Sequence, residues 1–160
     1  MMQRLSRFAM TLAAGILTAG ALVAAQPKDP FVGTWVLDVA KSKFSPGPAP
    51  KSATTVIDAA GQGYRFSVTQ DLPSGVQQWS FTTNLDGKDA SVTGNNPNAD
   101  SVVVKRIDAN TLETVARKLG KITTTQKNVV AADGKSRTVT TTGTNAQGEK
   151  VNNVAVYERK

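Results

Sequence analysis

The chain has 160 residues, a formal net charge of +7, and neither cysteine nor histidine. This composition excludes disulfide bonds, thiolate nucleophiles and the imidazole groups that most zinc sites and many enzymes use. The length is typical of one domain with a substantial hydrophobic core.

Residues 1–25 have the pattern of an export signal. Two arginines precede an apolar run, Phe8–Ala25, which ends in the small residues Val23-Ala24-Ala25 before Gln26. This pattern is typical of a cleaved signal peptide. The alternative is an uncleaved membrane anchor, but the run barely reaches the length of a bilayer span and is diluted by threonine and glycine. We therefore predict a signal peptide over residues 1–25 and a soluble domain over residues 26–160, exported to the periplasm or the medium of a bacterium.

The basic residues are scattered, mostly beside predicted turns, and form no continuous run. A net positive charge favours contact with anionic surfaces. Charges spread in this way are more typical of a solvated surface, and no nucleic-acid-binding motif accompanies them. We expect at most weak contact with an anionic envelope surface, and no nucleic-acid partner.

The first predicted strand covers Phe31–Val39. Alternation places Gly33, Trp35 and Leu37 on one face, which is the period of a β-strand. A glycine two residues before a tryptophan has a physical use in a closed sheet. The glycine lets another backbone come close, and the indole fills the space beneath it.

The segment Lys41–Lys51 breaks the alternation. Its three prolines and one glycine exclude a helix and indicate an extended, stiff connection. Two interpretations remain open. The segment crosses one end of a barrel with Phe44 pointing into the mouth, or it is a plain connector.

Short β-rich runs separated by turn clusters follow as far as the C-terminus. The predicted strands are Ser52–Ala59, Tyr64–Gln70, Val76–Asn84, Lys88–Thr93, Asp100–Ile107, Thr111–Lys118, Lys121–Ala132, Lys135–Thr142 and Glu149–Arg159. An Asp86-Gly87 dipeptide predicts a hairpin between the third and fourth of these. The turn spacing suits a sandwich or a barrel, and sequential hairpins favour the barrel because it leaves no exposed edge. We predict an all-β protein, an antiparallel up-and-down β-barrel of about 8–10 strands.

The acidic residues do not form a catalytic pair. Most of the twelve lie in predicted turns, where carboxylates cap their own backbone. Glu113 alone lies well inside a predicted strand, and no Gly-x-Ser-x-Gly motif is present. Asn95, Asn96, Asn98 and Asp100 place oxygens in one loop, but their spacing departs from that of a calcium-binding loop. We therefore expect no enzyme activity, no metal and no cofactor.

Aromatic residues on the inner faces of strands are candidates for ligand contacts, although core packing would require the same residue types. Arg106 alternates in phase with Val102 and Val104, so it faces inward if they do. The opposite face carries Val103 and Ile107, which leaves the phase open. The candidate ligand-binding residues are Tyr64, Phe66, Trp79, Phe81, Arg106 and Tyr157.

Gly33-Thr34-Trp35 near the start of the first strand resembles the Gly-x-Trp signature of lipocalins and the related fatty-acid-binding proteins. The closing Tyr157-Glu158-Arg159 is similar to their last strand. The resemblance implies that Arg159 packs across Trp35 and that Gly33, Trp35 and Arg159 close the barrel. The longer opening is also similar to small exported bacterial proteins of lipocalin-like type.

The chain departs from the fatty-acid-binding proteins in two places. Residues 40–51 are too few and too rich in proline for the helix-turn-helix lid of that family. Its carboxylate-binding Arg-x-Tyr corresponds here to Ala155-Val156-Tyr157, so the arginine is missing. These departures argue against a fatty acid bound in the manner of that family.

Two hypotheses follow. In the first, an exported, monomeric barrel binds a small, partly apolar or lipid-like molecule inside, with Arg106 or Tyr157 as polar anchor. In the second, the barrel is filled with side chains and acts through its basic surface as an envelope-associated interaction protein.

Overall fold

The computed structural model describes residues 29–160 and contains eleven β-strands and no helix in that range. The strands are β1 (Gly33–Lys43), β2 (Ser52–Ala60), β3 (Gly63–Leu72), β4 (Gly75–Thr83), β5 (Asp86–Ser91), β6 (Thr93–Gly94), β7 (Ser101–Asp108), β8 (Thr111–Lys118), β9 (Lys121–Val130), β10 (Ser136–Thr144) and β11 (Lys150–Arg159). The predicted signal peptide and its cleavage position lie outside the described residues. Between residues 29 and 160, no helix is long and apolar enough to cross a membrane.

The strands form one antiparallel sheet that nearly closes on itself. Its order is β5-β7-β8-β9-β10-β11-β1-β2-β3-β4-β6, so almost every strand pairs with its neighbours in sequence. The first long strand pairs with the last, with Trp35 opposite Arg159 and Leu37 opposite Tyr157. The prediction of an all-β, up-and-down antiparallel barrel is therefore confirmed.

The closing seam is formed by a stretch predicted as the single strand Lys88–Thr93. Its first part, β5, pairs with β7, and its last part, β6, crosses to β4, with Gly94 opposite Trp79. At Gly94 a Cβ would lie 2.2 Å from the Gln78 carbonyl oxygen, so this close approach requires glycine. Asp86 and Gly87 lie inside β5, and not in the two-residue hairpin turn that their sequence predicted.

One end of the barrel is filled by side chains. Because neighbouring strands run antiparallel, the start of β1, the end of β2, the start of β8 and the end of β9 meet there. The largest fully buried side chains come from these positions, from the middle of β7 and from the segment before β1. They are Phe31, Trp35, Ile57, Val104, Leu112 and Val130. This apolar layer forms the closed end of the barrel.

Arg159 and Gly33 complete the closed end. The guanidinium carbon of Arg159 lies 4.2 Å from the centroid of the Trp35 ring. Its three nitrogens donate hydrogen bonds of 2.6 Å to the carbonyls of Pro30, Val32 and Gly134. A Cβ at Gly33 would lie 2.6 Å from Arg159 Nη1. The guanidinium therefore occupies the space that a side chain at position 33 would need.

The proline-rich segment after β1 crosses the opposite, open end. The Ser45 backbone donates a hydrogen bond to Asn153 Oδ1 and accepts one from Asn152 N, which ties the segment to β11. Phe44 packs against the barrel core. The segment therefore crosses the end of the barrel with Phe44 pointing into the mouth, which is the first of the two interpretations.

Candidate functional site

A cavity of about 320 Å³ extends from above the apolar layer to the loops at the open end. This volume is near the lower limit of about 300–1,000 Å³ that is usual for small-molecule sites. Residues from β2, β3, β4 and β7 to β11 line it. The interior of the barrel is therefore not filled with side chains.

Part of the cavity wall is apolar. Phe66 and Val68 on β3 lie beside Trp79 on β4, since Val68 and Trp79 are directly paired. Val102 and Val139 contribute further apolar surface from β7 and β10. A planar or aliphatic group placed here would lose its contact with water.

The rest of the wall is polar. Amide and hydroxyl side chains reach the cavity from strands on both sides. They are Thr55, Gln70, Gln77, Thr114, Thr124, Gln126, Asn128, Thr141 and Asn153. Such groups donate and accept hydrogen bonds without carrying charge. A ligand in this space would meet apolar contacts and neutral hydrogen-bonding groups together.

Arg137 lies at the deep end of the cavity. It is the second residue of β10, is directly paired with Tyr157 on β11, and is only 3% exposed. Its Nη1 donates a hydrogen bond of 3.1 Å to Asn128 Oδ1, while Nε is buried without a protein acceptor. Its guanidinium carbon lies 4.5 Å from the centroid of the Tyr157 ring and 5.6 Å from that of Trp35.

The burial of Arg137 affects the pKa of its guanidinium. Desolvation of the guanidinium lowers its pKa to about 10, and the nearby Tyr157 opposes this shift. A group with this pKa still carries its charge at neutral pH. Burial also raises the pKa of the Tyr157 hydroxyl, so Tyr157 remains neutral beside it.

The mouth is framed by polar loops that contact each other. Asn98 Oδ1 accepts a hydrogen bond from Ala146 N, and the Asn98 carbonyl accepts one from Thr123 Oγ1. Glu149 Oε2 accepts a hydrogen bond of 2.8 Å from Asn145 Nδ2. Among the described residues that line the cavity, Glu149 has the only acidic side chain, and it lies at the open end.

Three of the six sequence-predicted residues, Phe66, Trp79 and Tyr157, line the cavity. Phe81 does not line it but stacks on Phe66, with the ring centroids 4.7 Å apart. Tyr64 packs edge-on to Phe66 within the apolar layer. The aromatic residues are thus brought together, and about half of them face the cavity.

Arg106 is placed at the closed end, away from the cavity. It shares the inner face of β7 with Val102 and Val104, which settles its phase, but its side chain is 32% exposed. Its Nη2 lies 3.4 Å from Asp29 Oδ2 and donates a hydrogen bond to the Tyr64 hydroxyl. Burial, and then the hydrogen bond to Asp29, raise the pKa of Tyr64. Arg106 therefore already has a carboxylate partner and makes no contact with the cavity.

Arg137 and Asn128 were not among the site residues predicted from the sequence. The sequence carries a signal for Arg137, since Val139 and Thr141 follow it at period two on a predicted strand and Val139 faces inward. Asn128 carries a weaker signal: Val130 follows it at period two, but Val129 lies on the opposite face, so alternation alone leaves the direction of Asn128 open. Its inward direction follows from its register with Leu112 on β8.

In the described part of the chain, no three acidic side chains lie close enough together to hold a metal ion. The carboxylates of residues 29–160 serve other local contacts, as at Asp108, whose pKa is lowered mainly by a backbone hydrogen bond from Asn110.

No protein-family model matches the sequence, and no curated protein does. Among solved structures, the chain is similar to wild-type UnaG, a fluorescent protein, with a TM-score of 0.51 and 20% identity, covering 81% of this chain and 97% of that one. It is also similar to the zebrafish ileal bile acid-binding protein complexed with cholic acid, with a TM-score of 0.48 and 17% identity, covering 82% and 99% of the two chains. At these identities the likeness to UnaG shows a common barrel fold.

Proposed function

We propose that this protein binds one small, partly apolar molecule inside its barrel. The observation that carries the proposal is the cavity of about 320 Å³ between the apolar layer and the mouth. Protein interiors are otherwise packed with few voids larger than a water molecule. A chamber of this size, lined by aromatic and hydrogen-bonding groups, supports a binding role.

The proposed mechanism is transfer of the ligand from water to the apolar wall. Phe66, Trp79 and Val68 would cover an apolar face of the ligand, which contributes roughly 25 cal/mol for each Å² removed from water. The amide and hydroxyl groups opposite would fix its orientation by hydrogen bonds. We propose binding and carriage in preference to catalysis, because Glu149 at the mouth is the only carboxylate among the lining residues that the structure describes.

The second hypothesis, a filled barrel that acts through its basic surface, is not favoured by the interior. Its premise was that side chains fill the barrel, whereas the structure has a cavity there. Weak contact with anionic surfaces is compatible with either hypothesis, since it depends only on net charge.

Export and a monomeric state belong to the same proposal. Export is supported by the basic, apolar and small-residue order of residues 1–25. A monomer is supported by the near closure of the sheet, since a closed barrel leaves few edges on which a second chain could pair. The relationship to lipocalin-like proteins of bacteria is supported by Gly33, Trp35 and Arg159, which meet as that resemblance implies.

Extraction of the gently purified protein with solvent, followed by mass spectrometry, tests the proposal. We expect one compound per barrel from the wild type and none from Ala155→Phe, in which a ring would occupy the cavity. Ala59→Phe, at an exposed position near the end of β2 and outside the cavity lining, is the matched control and should retain the compound. Recovery of no stoichiometric compound, together with no uptake of an apolar fluorescent probe, would contradict the proposal.

A further inference from the structure

We infer that the cavity takes a ligand with an anionic group, a carboxylate, sulfonate or phosphate, and binds that group against Arg137 at its deep end. The inference rests on the proposed binding function and adds the chemical class of the ligand. It is carried by a buried guanidinium that lines the cavity and has no carboxylate partner in the described residues.

The charge of Arg137 is not compensated within the described chain. The ion pairs of residues 29–160 join other residues, and none includes Arg137. An unpaired charge in a protein interior is costly, and buried charged groups are ordinarily paired. An anion bound in the cavity would supply the missing partner.

The hydrogen bonds of Arg137 are also incomplete. A guanidinium has five N–H donors in a fixed fork that suits the oxygens of a carboxylate or phosphate. The protein supplies one acceptor, Asn128 Oδ1, and leaves Nε as a buried donor without one. Because Nε is sealed from the cavity, the donors left to a ligand are those of the terminal nitrogens Nη1 and Nη2 that have no acceptor in the described residues.

Arg159 is an arginine with a structural role in the same barrel, and its hydrogen bonds can be compared with those of Arg137. Both guanidinium groups lie near the Trp35 ring, at 4.2 Å for Arg159 and 5.6 Å for Arg137. Arg159 donates to three backbone carbonyls, whereas Arg137 donates to one side chain. Packing on the indole therefore does not require a guanidinium to remain unsatisfied, and the difference marks Arg137 as open to a ligand.

The surroundings of Arg137 fix its position and leave the approach open to an anion. Tyr157 covers it at 4.5 Å and holds the plane of the fork. The side chains next to it in the lining, including Thr55 and Asn128, are neutral. Of the residues from 29 onward, only Glu149 brings a carboxylate to the lining, and it lies at the far end, where it accepts a hydrogen bond from Asn145. The ligand class is thus a compact organic anion whose body has both apolar and hydrogen-bonding parts.

A matched pair of fluorescent probes tests this inference. 8-Anilinonaphthalene-1-sulfonate and N-phenyl-1-naphthylamine have the same aromatic body, and only the first carries a sulfonate. We expect the wild type to bind the sulfonate more tightly than the amine. In Arg137→Met the affinity for the sulfonate should fall about tenfold or more, because a charged hydrogen bond is lost, while that for the amine should stay within about threefold.

A second variant changes the charge and keeps the arginine. Asn128→Asp places a carboxylate at the 3.1 Å contact with Arg137 Nη1 and leaves the volume of the cavity unchanged. We expect it to abolish the preference for the sulfonate, because the guanidinium then has an internal partner. Both variants should unfold at the same temperature as the wild type or higher, since Arg137→Met removes the unpaired buried charge and Asn128→Asp pairs it.

The outcomes separate this inference from the proposed function. If neither probe binds the wild type and Ala155→Phe behaves identically, the binding function itself fails. If both probes bind and Arg137→Met leaves their ratio of affinities unchanged, the binding function stands and the assignment of Arg137 is wrong.

Displacement of the bound sulfonate identifies the anionic group. Benzoate and phenyl phosphate are the charged competitors, and benzamide and phenol are their neutral counterparts. We expect one charged competitor to displace the probe at a lower concentration than its counterpart. Equal displacement by charged and neutral competitors would contradict the inference.

Discussion

Arg106 and Arg137 occur in similar sequence patterns but occupy different positions in the barrel. Arg106 and Arg137 each follow or precede inward-facing valines at period two, so alternation can place both on the inner face. The two side chains lie at different heights along the barrel axis, and they therefore meet different partners. Arg106 reaches Asp29 at the edge of the closed end, while Arg137 lies above Trp35 in the cavity.

That difference could not be predicted from the sequence. Height in a barrel depends on the register between strands, and register here is altered by irregularities such as the one between Arg106 and Asp108. The partner of Arg106, Asp29, lies in the segment before β1 and is distant from it in sequence. By contrast, the meeting of Gly33, Trp35 and Arg159 was predictable from the motif at the two ends of the chain.

Leu119 is an unfavourable residue at its position. It forms the β8–β9 turn with Gly120 at φ values of 51° and 75°, a region in which leucine is strained, and it is 86% exposed. We expect Leu119→Asn to raise the free energy of unfolding by about 1 kcal/mol, measured by urea denaturation, because asparagine tolerates this conformation.

Leu85 is the matched control for that prediction. It also has a positive φ, 61°, but it packs against the barrel core. Leu85→Asn should therefore lower the stability, since the burial lost outweighs the relief of strain. If Leu119→Asn lowered the stability as well, the backbone conformation would not be the source of strain at the β8–β9 turn.

At the scale of elements, the sequence located most strands, since alternation and turn residues mark them. It failed where one strand serves two partners. The stretch Asp86–Gly94 carries one alternating pattern, but β5 pairs with β7 and β6 with β4. The switch depends on the close approach of Gly94 to the Gln78 carbonyl, a three-dimensional contact that a single glycine in the sequence does not specify.

The loops at the mouth are elements held by a small number of hydrogen bonds. Asn98 Oδ1 accepts from Ala146 N at 3.1 Å and so joins the β6–β7 loop to the β10–β11 turn. We expect Asn98→Ala to speed hydrogen exchange of the Ala146 amide about fivefold, the effect of losing a contribution of about 1 kcal/mol.

The Gly134 amide provides the control for this measurement by NMR. It donates a hydrogen bond of 2.8 Å to the Ala131 carbonyl in the turn at the closed end, far from Asn98. Its rate of hydrogen exchange should therefore not change. Equal acceleration at both amides would indicate a general loss of stability and would contradict a local role for Asn98 at the mouth.

At the scale of the whole molecule, the barrel was predictable and the cavity was not. Sequential hairpins and a glycine-tryptophan start indicate closure, but a barrel of this strand number encloses either packed side chains or one small ligand. Which of these occurs depends on where small residues such as Ala116 and Ala155, which both line the cavity, lie along the interior. Their alignment is a property of register, as is the height of Arg137.

Intermolecular NOE measurement with bound N-phenyl-1-naphthylamine tests the central claim, that the interior of the barrel is the binding site. We expect NOEs from the probe to the methyl groups of Val102 and Val139, which line the cavity. NOEs confined to the exposed Val76, Leu119 and Ile122 would place the probe on the outer surface and contradict the claim.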